Sequence, residues 1–302
     1  MESKNQPLVS FITLNYNQTP VTCEFLDSTR NLTYKNFEII VVDNASEEDP
    51  TAYIHEHYPE VTLIRSEENL GFTGGNNLGM KYAKGDYFFV INNDTEVTPG
   101  ILEPLLAAFD KDPEMGVVCP KIRFFDQPDL IQYAGYTEMN PLTGRNTAIG
   151  MFEIDEGQYD QGSFTEYAHG AAMLVKREVA LQTGGFAELF FIYYEELDWS
   201  ARIKRAGYKI YYEPASLIFH KESVTMGRES PIKAYYHNRN RILFMRRNTK
   251  ASHQFIFTLF LLFAIVPKKM LGYIVKFQTK HIKSFVRALT WHLKHRNLSA
   301  MG

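Results

Sequence analysis

Cysteine is scarce in this sequence, with only Cys23 and Cys119 among 302 residues. Two separated cysteines exclude a disulfide framework and a four-cysteine zinc site, and their scarcity fits a reducing compartment. Residues 1–7 contain no basic segment that leads into a long apolar run, so we expect no signal peptide. The largely apolar run Phe255–Val266 has twelve residues, which is short for a membrane span of about 20 residues. These absences favour a cytoplasmic protein.

Acidic residues are absent from the segment Ser230–Gly302, which contains fourteen Lys and Arg. The rest of the chain carries the other 18 basic side chains and all 35 acidic ones, so its formal charge is −17 and that of the tail is +14. A basic tail indicates an anionic partner. The apolar stripe of a helix predicted over Ile274–Leu293 favours peripheral contact with the inner face of the cell membrane, and a helical cap packed on the body is the alternative. Nucleic acid is not expected, because no recognised binding module contains these basic residues.

The first part of the chain alternates between strand-like and helix-like patterns. Short β-branched or aromatic runs occur at Leu8–Leu14, Phe37–Val42, Val61–Arg65 and Asp86–Ile91, each followed by a helical pattern. This alternation predicts an α/β fold with a mostly parallel sheet and helices on both faces. Residues 126–164 are rich in Gly, Pro, Asp and Gln and predict loops and hairpins, which often carry function.

Four polar clusters follow predicted strands or lie in adjacent loops: Asp43, Asn92–Asp94, Glu195–Asp198 and His220. Ligands of open parallel sheets bind outside the carboxyl ends of the strands, so these clusters predict one cleft. Each cluster alone has a simpler explanation, such as a turn, a helix N-cap or acidic residues in a first helical turn. The glycine-rich stretch Asn69–Gly79 matches neither G-x-G-x-x-G nor G-x-x-x-x-G-K-[ST], which counts against a dinucleotide-dependent dehydrogenase and a P-loop ATPase.

Five segments together resemble the inverting nucleotide-sugar glycosyltransferases of family 2, which have a GT-A fold. These segments are Val9–Asn17, Val41–Ser46, Asn69–Asn77, Ile91–Asp94 and Tyr194–Asp198. The glycine-rich stretch and the Asn-Asn-Asp triplet are similar to the rhamnosyltransferase-like branch. The resemblance implies a GT-A catalytic domain over residues 1–229, with a nucleotide-sugar-binding half at about 1–115 and an acceptor half at about 116–229. A basic, amphipathic helical tail over residues 230–302 would follow it.

The resemblance also implies a nucleotide-sugar pocket. Asp43 would accept hydrogen bonds from the base or the ribose, and Asn15 would help to shape the base pocket. The glycines would let backbone N–H groups approach the donor at the start of a helix, where the helix dipole favours phosphate. The implied nucleotide-sugar-binding residues are Asn15, Asp43, Asn69, Gly71, Gly74, Gly75, Asn92 and Asn93.

A metal site and a catalytic base are implied in the same way. Asp94 would hold Mg²⁺ or Mn²⁺ as a carboxylate of the family's Asp-x-Asp motif, and His220 would complete the site. Asn92 stands where that motif has its first Asp, so Asp94 is the only carboxylate of the triplet. Glu196 aligns with the family's base, usually Asp, and would take the proton of the acceptor hydroxyl. Glu195 and Asp198 would position the acceptor and the base, and Glu195 as the base remains open.

The resulting hypothesis is a metal-dependent hexosyltransferase. It would move rhamnose or another hexose from a dTDP- or UDP-sugar to a glycan or lipid-linked acceptor, in bacterial-type surface polysaccharide synthesis. A catalytically inactive nucleotide-sugar-binding or scaffold protein is one alternative. A carboxylate-pair glycoside hydrolase is a weaker one, because it would leave Asp43 and Asp94 unexplained.

Overall fold

The computed structural model describes residues 6–221 and 230–295. Its strands are β1 (Val9–Asn15), β2 (Phe37–Asp43), β3 (Val61–Arg65), β4 (Tyr87–Ile91), β5 (Thr95–Val97), β6 (Met115–Phe124), β7 (Ile131–Tyr133), β8 (Ser163–Phe164), β9 (Ala172–Lys176) and β10 (Lys209–His220). Its α-helices are α1 (Thr19–Thr29), α2 (Thr51–His57), α3 (Gly71–Tyr82), α4 (Leu102–Phe109), α5 (Arg177–Thr183), α6 (Glu195–Arg205), α7 (Pro231–Asn248), α8 (Ala251–Phe260), α9 (Val266–Val275) and α10 (Thr279–Lys294).

One sheet forms the centre of the molecule. Its main path has the order β3-β2-β1-β4-β9-β6-β10-β5. Strands β1 to β4 pair in parallel, and β6 pairs in parallel with β10. Strand β9 lies antiparallel between β4 and β6, and β5 is antiparallel at the edge. Six of these eight strands therefore run in the same direction, which confirms the predicted mostly parallel α/β sheet.

The central strands are buried on both faces, since helices cover both sides of the sheet. Phe11, Val41 and Phe89 on three neighbouring strands are fully buried, as the apolar runs of a parallel sheet require. The carboxyl ends of β1, β2, β4, β6 and β10 lie at one edge of the sheet, and the reverse strand β9 begins there. This edge is where the predicted polar clusters come together.

The glycine-rich stretch forms the first turns of α3 rather than a separate loop. Its glycines allow this helix to pack closely on the sheet. A Cβ atom added at Gly79 would lie 2.5 Å from Ile12 Cγ2, and one added at Gly75 would lie 2.9 Å from Leu14. Gly71 starts the helix with a φ of 69°, a left-handed conformation that glycine adopts without strain.

After α7, the tail forms one long helix and then one separate helix. Helices α8 and α9 join through a π-helical segment, Leu261–Ile265, into a continuous helix over Ala251–Val275. This 25-residue helix is long and apolar enough to cross a membrane by length and composition, and an 18-residue window of it has a mean hydropathy of 1.8. The twelve-residue run alone predicted too short a span. The helix predicted from Ile274 is interrupted at Phe277, whose φ is 53°, and α10 begins at Thr279.

Helix α7 shares a hydrophobic core with the body. Leu243, Phe244 and Met245 pack in one cluster with Phe190 and Leu197. The first 18 residues of the described tail are therefore packed on the α/β body, which was the alternative interpretation of the tail. The predicted boundary at 229/230 adjoins residues 222–229, which lie outside the described residues together with 1–5 and 296–302.

Candidate active site

Asp94 and His220 face each other at the edge of the sheet. Asp94 follows β4, and His220 is the last residue of β10, so two strands that are not neighbours in sequence bring them together. Asp94 Oδ1 lies 3.1 Å from His220 Nε2, and the Asn92 amide lies 3.5 Å from the same nitrogen. These are the predicted metal ligands and the residue that replaces the family's first Asp.

The hydrogen bond of His220 Nδ1 determines which nitrogen carries the proton in the neutral ring. His220 Nδ1 lies 2.7 Å from Gln132 Oε1, so Nδ1 carries the proton that this hydrogen bond needs. When the ring is doubly protonated, Nε2 faces the Asp94 carboxylate as a cation. When the ring is neutral, Nε2 presents a lone pair, and two acceptors at 3.1 Å repel each other unless a cation lies between them. Asp94 and His220 would then hold a divalent cation such as Mg²⁺ or Mn²⁺ in place of that proton.

The charge of Asp94 also fits a cation. Burial by itself raises the pKa of this carboxyl, but the hydrogen bond and charge of His220 outweigh burial and hold the pKa below its ordinary value. Asp94 Oδ1 is buried and accepts no well-aligned hydrogen bond. No group of three or more His, Cys, Asp or Glu is placed to hold a metal within residues 6–221 and 230–295. The pair therefore fits an ion whose other ligands are phosphate oxygens and water.

Asn15 and Asp43 form a second polar cluster where β1 and β2 end side by side. The Asn15 amide donates to Asp43 Oδ1 at 2.8 Å, and the Ser46 hydroxyl donates to the same oxygen at 2.5 Å. Asp43 Oδ2 accepts from the Ser46 backbone N–H and lies 3.7 Å from Arg65 Nε. The buried Asp43 carboxylate is thus held by protein partners, and its contact with a base or a ribose stays a prediction.

The remaining predicted donor residues line or support the same region. The Asn69 side chain accepts from the Gly71 N–H at 2.8 Å, and the Thr73 N–H donates to the Phe191 carbonyl at 3.2 Å. Both N–H groups at the start of α3 therefore have partners within the chain. Gly74 and Gly75 pack against neighbouring side chains, and the Asn93 amide donates to the Thr22 hydroxyl at 2.9 Å.

Glu195 and Glu196 are the first two residues of α6 and line the cavity. Burial raises the pKa of both carboxyls. Burial, together with the charge of the neighbouring Glu196, raises the pKa of Glu195 well above its ordinary value, which favours its protonated form. Burial raises the pKa of Glu196 to about 7 against the opposing effect of backbone N–H groups. Glu196 can therefore give up and take back a proton near neutral pH, which is the property of a general base.

A strained turn places these two carboxyls. Phe191, Tyr193 and Tyr194 all have positive φ values, between 65° and 72°. Side chains from α7 hold this turn: the Asn240 amide donates to the carbonyls of Phe190, Ile192 and Tyr193, and the Arg239 guanidinium donates to those of Leu189 and Phe190. Local sequence patterns do not predict this turn, because it depends on contacts between segments about 50 residues apart.

Asp198 points away from this site. Its carboxylate is fully buried and receives hydrogen bonds from Arg202 Nε at 3.0 Å, Arg247 Nε at 2.9 Å and the Asn248 amide at 2.8 Å. Two of these three partners lie on α7. The structure thus places Asp198 between α6 and the tail, whereas the sequence predicted it beside the acceptor.

A cavity of about 1190 Å³ joins the sheet edge to the tail. The body contributes Asn92, His169, Glu195, Glu196 and His220. The tail contributes a second set that the sequence did not assign to the site: Lys233, His237, Arg241, Lys268, Lys269, Tyr273 and Lys276. The charge asymmetry of the tail was the signal that could have indicated them.

Comparisons with known proteins identify the family and the fold of this chain. The family model described as glycosyl transferase family 2 matches residues 10–180. The N-acetylglucosaminyl-diphospho-decaprenol L-rhamnosyltransferase of Mycobacterium tuberculosis is 26% identical over 257 residues, which cover 78% of this chain and 82% of that protein. The low-salt glycan biosynthesis hexosyltransferase Agl10 of Haloferax volcanii is 26% identical over 214 residues, which cover 68% of this chain and 66% of that protein.

Solved structures share the fold. The structure of GalNAc-T7 with UDP, GalNAc and Mn²⁺ aligns with a TM-score of 0.61 at 16% identity, over 87% of this chain and 57% of that one. The mannosyltransferase PcManGT from Pyrobaculum calidifontis, in complex with GDP-Man and Mn²⁺, aligns with a TM-score of 0.57 at 17% identity, over 96% of this chain and 88% of that one. These similarities confirm the predicted GT-A fold.

Replacing Asp198 tests whether it is structural. Asp198→Asn should lower the free energy of unfolding by about 3 kcal/mol, because it leaves the half-buried Arg202 and Arg247 without their carboxylate. Urea unfolding measures this change, with the exposed Asp126→Asn as the matched control. An unchanged urea midpoint in Asp198→Asn would contradict the structural role.

Proposed function

This chain belongs to glycosyl transferase family 2, and from that premise we propose that it moves a hexose from a dTDP- or UDP-sugar to a hydroxyl of a glycan or lipid-linked acceptor. The observation that carries the proposal is a carboxyl with a pKa of about 7, Glu196, in one cavity with Asn92 and His220 of the sheet edge. Rhamnose is one candidate sugar, because a relative of similar length is a rhamnosyltransferase. Bacterial-type surface polysaccharide synthesis is the corresponding setting.

We assign the base to Glu196 rather than Glu195. Glu196 takes the proton of the acceptor hydroxyl while that oxygen bonds to the anomeric carbon, and the bond from this carbon to the nucleotide diphosphate breaks in the same displacement, which inverts the configuration. Burial raises the pKa of Glu195, and the protonated form that this favours would donate a hydrogen bond from its buried carboxyl. A divalent ion held by Asp94 and His220 would neutralise charge on the diphosphate. We assign Asn15, Asp43 and the residues of the α3 start to the shape of the nucleotide pocket.

Assays of the products distinguish this function from its alternatives. UDP or dTDP release in the presence of Mn²⁺, stopped by EDTA, supports a metal-dependent transferase. Cleavage of a glycan without nucleotide or metal would support a hydrolase, and nucleotide binding without turnover would support a scaffold protein. A screen of dTDP-rhamnose, UDP-galactose, UDP-glucose and UDP-GlcNAc identifies the sugar.

The acceptor's location follows from the long tail helix. Several apolar side chains of this helix are exposed, and they are Phe255, Ile256, Leu259, Leu262, Phe263, Leu271, Ile274 and Val275. Other residues of the same helix, such as Ala264, Lys269 and Gly272, line the cavity. We propose that the helix lies on the inner face of the cell membrane with its apolar residues in the lipid, which places the cavity beside a lipid-linked acceptor.

Removing the carboxylate of Asp94 tests the metal site. Asp94→Asn should weaken Mn²⁺ binding in the presence of UDP by at least about tenfold, since loss of an outer-shell partner alone costs about 10- to 100-fold. Electron paramagnetic resonance of free Mn²⁺ measures this affinity without turnover. The exposed Asp129→Asn serves as the control, and equal Mn²⁺ affinity in both variants would refute Asp94 as a ligand.

The pH profile tests the base. Glu196 must be ionised to accept a proton, so kcat/KM should fall about tenfold for each pH unit below about 7 and level off above it. Glu196→Gln should abolish transfer at every pH and keep its affinity for nucleotide. The exposed Glu178→Gln on α5 should show the wild-type profile. Near-normal turnover in Glu196→Gln would remove the assignment.

A point substitution tests membrane docking. Truncation is unsuitable, because it would uncover the buried Phe257 and Phe285. Phe263 is 78% exposed, and Phe263→Asp should weaken co-sedimentation with phosphatidylglycerol vesicles by about tenfold, because the Phe side chain no longer enters the lipid. Leu181→Asp changes a 70% exposed residue of the body and should bind vesicles like the wild type. Equal binding of all three proteins would contradict docking through this helix.

A further inference from the structure

Five basic side chains from two parts of the chain line one region of the cavity. We call this set the basic wall, and it consists of Arg145, Arg241, Lys268, Lys269 and Lys276. Arg145 comes from the loop region before β8, Arg241 from α7, and the three lysines from α9 and the residue after it. The basic wall belongs to the same cavity as Glu196.

The basic wall lacks carboxylate partners. None of its five members forms an ion pair with Asp or Glu in the part of the chain that the structure describes. Arg241 donates to the Thr143 carbonyl, and Lys269 donates to the Asn238 side chain at 2.9 Å. The described carboxyls that line the cavity are Glu195 and Glu196, and burial raises the pKa of both. The basic wall is therefore a concentration of uncompensated positive charge.

Repulsion between positive charges in the cavity contributes to lowering the pKa of three basic groups. Burial together with Arg145 and Arg241 lowers the pKa of Lys269 to about 8. Burial lowers the pKa of Arg241 to about 10, with Arg145 contributing. Burial and the charges of Lys233, Lys269 and Arg145 lower the pKa of His237 to about 4. A bound polyanion would relieve this repulsion, and clustered Arg and Lys are suited to phosphate oxygens.

The position of the basic wall distinguishes the two diphosphates of the proposed reaction. The donor's diphosphate is assigned to Asp94 and His220 at the sheet edge. The lysines of the basic wall instead lie on the tail, beside the exposed apolar residues Leu271 and Ile274. An anion that binds there can be attached to a lipid whose chain leaves toward the membrane.

We propose that the basic wall binds the diphosphate of a lipid-linked acceptor. This inference deepens the proposed function and rests on it, because it names the acceptor as a lipid diphosphate carrying a sugar. The diphosphate would lie against Arg145 and the α9 lysines, and its sugar hydroxyl would extend toward Glu196. Tyr194 lines the same cavity. Burial raises the pKa of its phenol, and the charges of Arg241, Arg145 and Glu196 also act on that pKa.

Calorimetry with the full-length protein tests the proposal, with farnesyl diphosphate as the lipid probe and UDP with Mn²⁺ as the donor probe. The test variant is Arg145→Gln/Lys268→Gln/Lys276→Gln, whose three side chains are exposed. It should bind farnesyl diphosphate at least about tenfold more weakly than the wild type, because charge-assisted hydrogen bonds are lost, and it should bind UDP with Mn²⁺ normally. The control Lys250→Gln/Lys280→Gln/Lys283→Gln removes three exposed lysines outside the cavity and should bind both probes normally.

Asp94→Asn completes the comparison, with weakened UDP binding and normal farnesyl diphosphate binding. The proposal is overturned if the wild type does not bind farnesyl diphosphate, or if farnesol without phosphate binds equally well. It is also overturned if the test variant loses UDP and farnesyl diphosphate together, or if the control triple loses as much as the test triple. Failure of the proposed function is a separate result, namely no sugar transfer from any nucleotide-sugar, and the calorimetry does not depend on it.

Discussion

The side chain of Asn240 holds the turn on which the candidate active site depends. Its amide lies 2.7–2.9 Å from three carbonyl oxygens of the turn that precedes α6. That turn contains three residues other than glycine with positive φ, and each such conformation costs about 1–3 kcal/mol. Without the fully buried Asn240 and the neighbouring Arg239, the turn would relax and Glu196 would lose its place beside the cavity. Helix α7 is therefore part of the architecture of the candidate active site.

Burial then gives three neighbouring carboxyls three different chemistries. Asp94 is buried but faces His220, and its pKa falls. Glu196 is buried without a cation and its pKa rises to about 7, while the pKa of the adjacent Glu195 is raised as well. Coulomb repulsion between adjacent carboxyls contributes, because both cannot be ionised at low cost in a buried site. The roles proposed for these residues, a metal ligand at Asp94 and a base at Glu196, rest on these differences in environment.

The sequence predicted the sheet well and the tail poorly, for a physical reason. Apolar runs such as Phe37–Val42 record burial on both faces, which the local pattern alone reveals. Asp94 and His220 could be paired because strand ends of a parallel sheet share an edge. The role of Asp198 could not be foreseen, since its partners Arg247 and Asn248 lie 49 and 50 residues away. The close packing of the α3 glycines on the sheet could not be predicted, because local sequence does not show which helix packs closely on a sheet.

Two faces of the long helix in the basic tail differ in composition and in what they contact. One face of the Ala251–Val275 helix is apolar and exposed, and another face carries cations into the cavity. A purely electrostatic membrane anchor would place its lysines on the outer surface, where lipid headgroups are. Lys269 instead lies in the cavity, and its lowered pKa shows that the fold keeps a cation where desolvation disfavours it. Such a cost favours a ligand for this cation over membrane attachment alone, because the exposed apolar side chains of Phe263 and its neighbours are the part of the helix that is proposed to enter the lipid.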